Sequence, residues 1–222
     1  MSWAGKILRV NLTAGTVKSE PLNMDWARAY IGSRGLASKY LINEIDRACE
    51  GLGLDWETIV VDDGSTDGTY GLIAEIAESN PRVGVVRMRR NFGKSAALAA
   101  GFGVTGGKTV ITIDGDGQDD PADIPKLLEG LEAGSDLVSG WKSDRQDPFT
   151  RRFASKIFNW FTTRVTGVRL HDMNCGYKAY RGECARSIEV YGEMHRFLPV
   201  FAAQQGWRVS EIPVNHRPRL HG

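Results

Sequence analysis

Several features that would define a protein class at once are missing from this chain of 222 residues. Cysteine is scarce: the three cysteines are an odd number without a CxxC pair, which argues against a disulfide scaffold or a zinc site and favours a reducing compartment. No secretory leader and no apolar run of about 18 residues is recognisable, so no membrane-spanning segment is predicted. The net charge of +1 indicates no class of partner, and no nucleic-acid partner is expected.

Charge is instead distributed unevenly along the chain. Residues 141–186 contain ten Lys or Arg against four acids, whereas residues 109–125 contain no Lys or Arg. The sequence TIDGDGQDDP at 112–121 gathers four aspartates after an apolar run. Carboxylates so close together repel one another and avoid burial without a partner. They therefore indicate either a solvated loop that caps the next helix or a cation shared with a phosphate.

Apolar runs alternate with helical patterns from residue 57 onwards. The predicted strands are 58–63, 83–88, 108–114 and 135–141, and the helices between them are 69–79, 94–102 and 122–134. This alternation is typical of βαβ units and of an α/β fold with a mostly parallel sheet flanked by helices. Before this region, the pattern predicts a hairpin over 5–22 and a helical stretch from about Met24, which the glycines within 31–37 weaken or break and which resumes from residue 37. After it, the pattern predicts an amphipathic helix over 151–165, strands over 177–181 and 208–214, and a helix near 183–191.

Both acidic clusters, at 60–69 and 114–120, follow a predicted strand, and ligands of such sheets lie at the carboxyl ends of the strands. Asp114 and Asp116 stand two residues apart on an extended strand end, so their carboxylates face one side. Two such oxygen ligands suit Mg²⁺ or Mn²⁺, with phosphate oxygens completing the shell. In the first cluster a carboxylate can accept hydrogen bonds from a base or ribose, whereas Asp67 or Thr69 can equally cap the next helix.

Three stretches in this order and spacing resemble the family-2 glycosyltransferases of the GT-A fold: VVDDGSTDGT (60–69), RRNFGKSAALAAGF (89–102) and TIDGDGQDDPADIPKLL (112–128). Three later stretches are similar to the polyprenyl-phosphate branch, of the dolichol-phosphate mannose synthase type: GWKSDRQDPFTRRFASKIFN (140–159), HDMNCGYKAYR (171–181) and MHRFLPVFAAQQGWRVSEIPVNHRPRLHG (194–222). The resemblance implies a GT-A-like, Rossmann-like domain over 47–222. It also implies inverting transfer of a hexose, from a GDP-mannose or UDP-glucose type of donor to polyprenyl or dolichyl phosphate. Mg²⁺ or Mn²⁺ and a peripheral position at the cytoplasmic membrane face are implied as well.

The same resemblance assigns roles to individual positions. The metal ligands it implies are Asp114, Asp116 and Gln118. The catalytic positions are Asp116 and Asp172, of which Asp172 is a base or a sugar contact. The nucleotide-sugar contacts are Val61, Asp63, Ser65, Lys94, Asp114, Arg196 and Arg219. The acceptor-phosphate contacts are Arg145, Arg152 and Ser155, although each arginine can equally lie on a solvated helix face. His171 and His195 are expected to pack or hydrogen-bond rather than to bind a metal.

The family's usual opening strand, of the type VVIPVYNE, has no counterpart in this sequence. Residues 1–46 resemble instead the N-terminus of tungsten-containing aldehyde ferredoxin oxidoreductases. The rest of that domain and its cluster cysteines have no counterpart, so no oxidoreductase activity is expected. Either the hairpin or its second strand replaces the missing strand, with 36–50 replacing the missing helix, or the segment is an appendage beside an exposed sheet edge. An active transferase, an inactive nucleotide-binding remnant and a fragment of the oxidoreductase remain as alternatives.

Overall fold

The computed structural model describes residues 6–11, 16–21, 23, 33–142, 163–164 and 167–217. Its first element is the predicted hairpin, in which β1 (Lys6–Asn11) pairs antiparallel with β2 (Thr16–Pro21). Within the described residues the two strands form a sheet of their own, so the expectation that the hairpin or its second strand replaces a missing sheet strand is wrong. The sequence of β2, TVKSEP, explains why. A strand inside a parallel sheet is covered on both faces and donates hydrogen bonds along its edges, so charges and a proline do not suit it.

The helix that follows is part of the core. Helix α1 (Ser33–Glu50) buries Ile42 in one apolar cluster and buries Leu41 and Ile45 in another. The first cluster belongs to the elements of residues 58–87, and the second belongs to those of residues 109–214. The described part of this helix thus packs in the core of the domain, and its replacement of the family's missing helix stays a prediction.

Two sheets follow along the chain. In the first, β3 (Thr58–Asp62) runs parallel to β4 (Val83–Arg87), with α2 (Thr69–Ser79) as the crossover between them. Helix α3 (Lys94–Val104) then leads to the second sheet. The elements of that part of the chain are β5 (Thr109–Thr112), α4 (Ile124–Glu132), β6 (Leu137–Trp141), β7 (Lys178–Arg181), α5 (Gly182–Ser187), α6 (Leu198–Gln204) and β8 (Val209–Pro213).

The second sheet has the order β5-β7-β6-β8 and is mixed. Strand β8 runs parallel to β6, whereas β7 is antiparallel to both β5 and β6. The α/β class is confirmed, although β7 makes the sheet less parallel than predicted. Helix α5 is shorter than the predicted helix near 183–191, and the predicted helix over 151–165 lies almost wholly outside the described residues. In the part of the chain that the structure describes, no helix is long and apolar enough to cross a bilayer.

Helix α3 joins the two sheets, which share no backbone pairing among the described residues. On one side a Cβ added at Gly101 would lie 3.4 Å from Cγ2 of Val61 in β3. On the other side the ring of Phe102 meets that of Tyr180 in β7, with 5.4 Å between centroids. The amino end of α3 lies between the carboxyl ends of β3 and β5, because the N–H of Gly93 donates to Asp63 and Nζ of Lys94 lies 2.6 Å from Asp114.

Candidate active site

The loop after β5 is closed by one buried carboxylate. Asp119 is fully buried, and its Oδ2 accepts a hydrogen bond from the backbone N–H of Asp114 at 3.3 Å. Gly117, with φ of 72°, lets the chain turn back between these two points. Oδ1 of Asp119 lies 2.9 Å from Nζ of Lys142, the residue that follows β6. The segment enclosed in this way contains all the predicted metal ligands.

This loop contains Asp114, Asp116 and Gln118, and each of their side chains contacts another group of the protein. Nζ of Lys94 lies 2.6 Å from Oδ1 of Asp114, and Asp116 accepts the backbone N–H of Gln118 at 3.1 Å. The amide nitrogen of Gln118, rather than its oxygen, contacts Nε2 of His216 at 3.3 Å. Within the described residues no three His, Cys, Asp or Glu side chains form a ready metal site. Two carboxylates and an amide oxygen are nevertheless the hard donors that Mg²⁺ and Mn²⁺ take, so the side chains present fit a divalent cation.

Two adjacent aspartates organise the carboxyl end of β3. Asp62 is buried, and its Oδ1 accepts the N–H of Ser65 at 3.3 Å. Asp63 accepts two backbone N–H groups, from Phe92 at 2.8 Å and from Gly93 at 2.9 Å. These bonds tie the loop before α3 to the end of β3. The nucleotide contacts predicted for Val61, Asp63 and Ser65 stay predictions.

The start of α2 decides between the alternatives left open for Asp67. Its Oδ1 accepts hydrogen bonds from the backbone N–H of Thr69 at 3.2 Å and from the Thr69 hydroxyl at 2.6 Å. Thr69 is the first residue of α2 and is buried. Asp67 therefore supports the first turn of the helix, which is the structural alternative for this residue.

Gly64, just after β3, leaves no room for a side chain. Its φ is 72°, and an added Cβ would lie 2.4 Å from the carbonyl carbon of Arg90 and 2.6 Å from the nitrogen of Asn91. We expect Gly64→Ala to lower the free energy of unfolding by about 3 kcal/mol, because backbone strain and a backbone collision act together. In the control Gly68→Ala, φ is 81° but nothing lies within 4 Å of the new Cβ. Urea unfolding measures both losses, and equal losses would contradict the close approach at Gly64.

A turn at Met194–Phe197, which carries the basic His195 and Arg196, contacts the amino end of α3. Lys94 reaches Asp114, and the buried Ser95 binds His195. Oγ of Ser95 lies 3.2 Å from Nδ1 of His195 and accepts the His195 backbone N–H at 3.1 Å. Burial and then the Lys94 charge lower the pKa of His195, and the neighbouring Arg196 adds to this effect. His195 is thus a hydrogen-bonding residue, as expected, and it keeps the exposed Arg196 beside the Lys94 side of the site.

A fully buried cation lies in β7, against the loop after β5. Lys178 is 2% exposed, and its ammonium donates to the carbonyl oxygen of Cys175. Burial lowers the pKa of Lys178 to about 8, although the nearby Cys175 and Asp172 oppose this shift. Asp172, the predicted base or sugar contact, is 6% exposed and accepts a backbone N–H two residues further on, at 3.2 Å. A Cβ on Gly176 would lie 2.6 Å from Oδ2 of Asp114, so this segment touches the predicted metal loop.

The lowered pKa of Lys178 predicts a pH dependence that Lys178→Met removes. Below about pH 8 the side chain is protonated in the folded and unfolded states, so the folded state bears the full cost of burying the charge. Between about pH 8 and 10.5 the folded state has lost the proton and the unfolded state retains it, so stability rises with pH. Relative to Lys178→Met, the native chain should gain about 1.4 kcal/mol per pH unit in this window. Urea unfolding across the window tests this, and parallel curves would contradict it.

Arg217 links the loop after β5 to α1. Its two terminal nitrogens each lie 2.6 Å from a carboxylate oxygen, one on Glu44 and one on Asp120. Its backbone N–H donates to the carbonyl oxygen of Gln118 at 2.7 Å. The segment after β8 therefore also supports the predicted metal loop. The predicted contacts that lie outside the described residues are Arg145, Arg152, Ser155 and Arg219.

Some residues that organise the site are missing from the sequence-predicted set. They are Asp119, Lys142, Lys178 and Arg217. All four lie within the stretches that carry the family resemblance, but nothing local shows that their charges are buried or paired, because burial of a charge depends on partners that are distant in sequence. The nearest signal is a charged residue directly after a buried run, as Lys142 follows LVSGW.

The chain is similar to a known family and to several curated proteins. The model of the family described as Glycosyl transferase family 2 matches residues 36–188. Dodecaprenyl-phosphate galacturonate synthase of Rhizobium johnstonii is 40% identical over 172 residues, which are 75% of this chain and 51% of that protein. Undecaprenyl-phosphate 4-deoxy-4-formamido-L-arabinose transferase of Edwardsiella ictaluri is 37% identical over 183 residues, which are 82% of this chain and 56% of that protein. The chain thus spans about half the length of these relatives.

Solved structures show the same fold. A mannosyltransferase of Pyrobaculum calidifontis, in complex with GDP-Man and Mn²⁺, aligns with a TM-score of 0.54 at 17% identity, over 90% of this chain and 69% of that one. Mannosyl-3-phosphoglycerate synthase of Rubrobacter xylanophilus aligns with a TM-score of 0.59 at 20% identity, over 82% of this chain and 62% of that one. These likenesses establish the GT-A-like α/β fold. Because the family match covers well over half of the chain, the protein belongs to glycosyl transferase family 2.

Proposed function

We propose that this chain transfers a sugar from a nucleoside-diphosphate sugar to a polyprenyl phosphate. The observation that carries the proposal is the contact of Lys94 with Asp114, at 2.6 Å, between the carboxyl ends of β3 and β5. It brings a cation and the predicted metal loop to one point, which is where ligands bind in sheets of this type. A diphosphate needs both kinds of group, because its oxygens are negative and it leaves with more negative charge than it had in the donor. Two relatives named as polyprenyl-phosphate sugar transferases support this substrate class.

Asp114, Asp116 and Gln118 are the residues that would hold the divalent cation. When bound, Mg²⁺ or Mn²⁺ supplies a Lewis acid that offsets the charge developing on the leaving diphosphate. The side chains of this chain do the rest. Lys94 is free to exchange its carboxylate partner for a phosphate oxygen, and Arg196 adds a second positive charge on the same side.

The attacking atom in the proposed reaction is a phosphate oxygen of the lipid. A phosphate is already anionic, so the reaction does not require a strong base. Asp172 can therefore serve to orient the sugar or the acceptor while the buried Lys178 balances its charge. Arg145, Arg152 and Ser155 remain the proposed contacts of the acceptor phosphate, and Arg219 remains a proposed contact of the donor diphosphate. The peripheral position at the cytoplasmic membrane face is likewise part of this proposal.

The identity of the sugar is the finer part of the proposal. The sequence predicts a hexose of the mannose or glucose type, whereas the relatives above are named for galacturonate and for a formamido-arabinose. We propose a hexose or hexuronate donor, with the pentose type as the alternative. The transfer assay described next also shows whether the donor carries uridine or guanosine.

The test is a transfer assay on the whole chain with undecaprenyl phosphate in detergent micelles. Radiolabelled UDP-glucose, UDP-galacturonate and GDP-mannose are offered in turn with Mn²⁺. The proposal predicts a lipid-linked radioactive product from one of these donors, and no product when undecaprenyl phosphate is omitted. Nucleotide-sugar consumption without any lipid-linked product would contradict the proposed acceptor.

A second candidate, a nucleotide-binding domain without transferase activity, is favoured by one observation. Strand β3 pairs with β4 alone and β5 pairs with β7 alone, so the facing edges carry no backbone pairing within the described residues. Nucleotide binding without transfer in the assay would favour this candidate. The resemblance of residues 1–46 to an aldehyde oxidoreductase stays a prediction, and the domain boundary near 46–48 remains a proposal beside a family match that begins at residue 36.

A further inference from the structure

Asp119 and Lys142 form an ion pair in the interior of the domain, beneath the loop of predicted metal ligands. Their side chains are 0% and 8% exposed and lie 2.9 Å apart, whereas those of Lys94 and Asp114 are 39% and 36% exposed. Charged side chains are almost never buried so deeply unless they are paired. Removing two charges from water offsets much of their attraction, so a buried pair is weak evidence for a role in stability alone. Its position suggests another role.

Each oxygen of the Asp119 carboxylate has a different partner. Oδ2 accepts the N–H of Asp114, and Oδ1 faces the ammonium of Lys142. The backbone of Asp119 also bridges to His216, so the residue is fixed from three directions. Asp114 and Asp119 are thus the two ends of a closed loop, and Asp116 and Gln118 lie between them.

Lys142 anchors this closure to the sheet. It follows β6 directly, and β6 is paired on both edges, with β7 and with β8. Burial acts to lower the pKa of Lys142, but the charge and hydrogen bond of Asp119, together with the charges of Cys175 and Asp114, raise it. The lysine is therefore a fixed positive charge, at a place set by the most buried strand of the sheet.

We infer that Asp119 and Lys142 are positioning residues for the divalent cation, because together they hold the loop from Asp114 to Gln118 in the shape that presents its oxygen ligands. This inference rests on the proposed function and deepens its metal site. The pair itself touches neither the cation nor the nucleotide. It acts through the backbone of Asp114, as groups behind metal ligands commonly do.

The test compares Asp119→Asn and Lys142→Met with the control Asp136→Asn. Asp136 precedes the same strand, is 7% exposed, and pairs with Arg181 at 3.0 Å and Arg208 at 3.1 Å. Each variant removes a buried charge, but only the first two break the ion pair that closes the predicted metal loop. Calorimetry measures the Mn²⁺ concentration that half-saturates binding of UDP, and of GDP if UDP does not bind. Hydrogen exchange reports on the backbone of residues 112–120.

We expect the half-saturating Mn²⁺ concentration to rise by about tenfold or more in Asp119→Asn and Lys142→Met. Exchange over residues 112–120 should become faster in both variants. Asp136→Asn should lose thermal stability without a change in either readout. Lys142→Arg, which keeps the charge, should restore Mn²⁺ dependence to near the native value.

Unchanged Mn²⁺ dependence in the two variants, with native binding of nucleotide, would overturn this inference and leave the proposed function standing. Absence of metal-dependent binding of both nucleotides in the native chain would overturn the proposed function as well. Where a single variant does not fold, the double variant Asp119→Asn/Lys142→Met removes both charges together and tests the same two readouts. Native Mn²⁺ dependence in the double variant would likewise overturn the inference.

Discussion

Replacing Asp116 by alanine is expected to lower the rate of sugar transfer by about 1,000-fold, because the predicted cation loses a ligand where charge develops on the leaving diphosphate. The carboxylate also accepts the N–H of Gln118 at 3.1 Å, so its loss loosens the loop that carries another predicted ligand. Initial rates at saturating donor, with Mn²⁺ varied, measure the effect. Added Mn²⁺ should recover little of the lost rate.

Asp120→Asn is the matched control for this prediction. Asp120 belongs to the same acidic stretch, but it accepts the N–H of Ala122 at 3.0 Å and pairs with Arg217 at 2.6 Å, outside the predicted ligand set. Its variant should lose some stability and a far smaller part of the rate, because Asp120 supports the loop through Arg217 but is not a predicted metal ligand. A native rate in Asp116→Ala would remove this residue from the site. Equal losses in both variants would point to the fold of the loop rather than to a metal ligand.

Replacing Ile42 by alanine is expected to have the largest effect on stability among the changes considered for α1. Ile42 is 2% exposed and packs against Leu72, Ile76 and Val83, which belong to the β3–β4 half of the domain. Leu41 and Ile45, which lie beside Ile42 on the same buried side of the helix, pack against the other half. We expect the free energy of unfolding to fall by about 3 kcal/mol, because the cavity would open where α1 joins the two halves.

Urea unfolding measures this loss, with two controls on the same helix. Ile42→Val removes one methyl group and should cost about 1 kcal/mol. Arg47→Ala changes an exposed side chain and should lie within about 0.5 kcal/mol of the native chain. A loss of less than about 1 kcal/mol in Ile42→Ala would show that α1 is not a part of the core.

The sequence predicts the fold well wherever a local pattern decides the structure. Strands β3 to β6 follow continuous apolar runs, and α2 to α4 show helical spacing, so the α/β class is confirmed. The reversed direction of β7 could not be predicted, because strand direction depends on the path of residues 143–177 and on no local pattern. The hairpin does not pair with either of the two later sheets, and the charges of β2 explain this once the structure is known. A hairpin pattern alone does not predict which strands a hairpin pairs with.

The candidate site divides in the same way. Asp114 and Asp116 could be predicted as candidate metal ligands, because a run of acidic residues directly after a buried strand is unusual. The partners of these residues could not, because the contacts of Asp119 with Lys142 and of Asp120 with Arg217 join segments 23 and 97 residues apart. His195 illustrates the intermediate case: its hydrogen-bonding role was predictable, whereas its partner Ser95, 100 residues earlier, was not.

Calorimetric titration of UDP and GDP into the native chain, with and without Mn²⁺, is the most direct test of the central claim, that the carboxyl ends of β3 and β5 form a metal-dependent site for a nucleoside diphosphate. We expect one of the two nucleotides to bind only when Mn²⁺ is present, and this binding to be lost in Asp116→Ala. Binding that is equally strong without metal and in Asp116→Ala would contradict the assignment of the loop after β5. No binding of either nucleotide would contradict the claim as a whole.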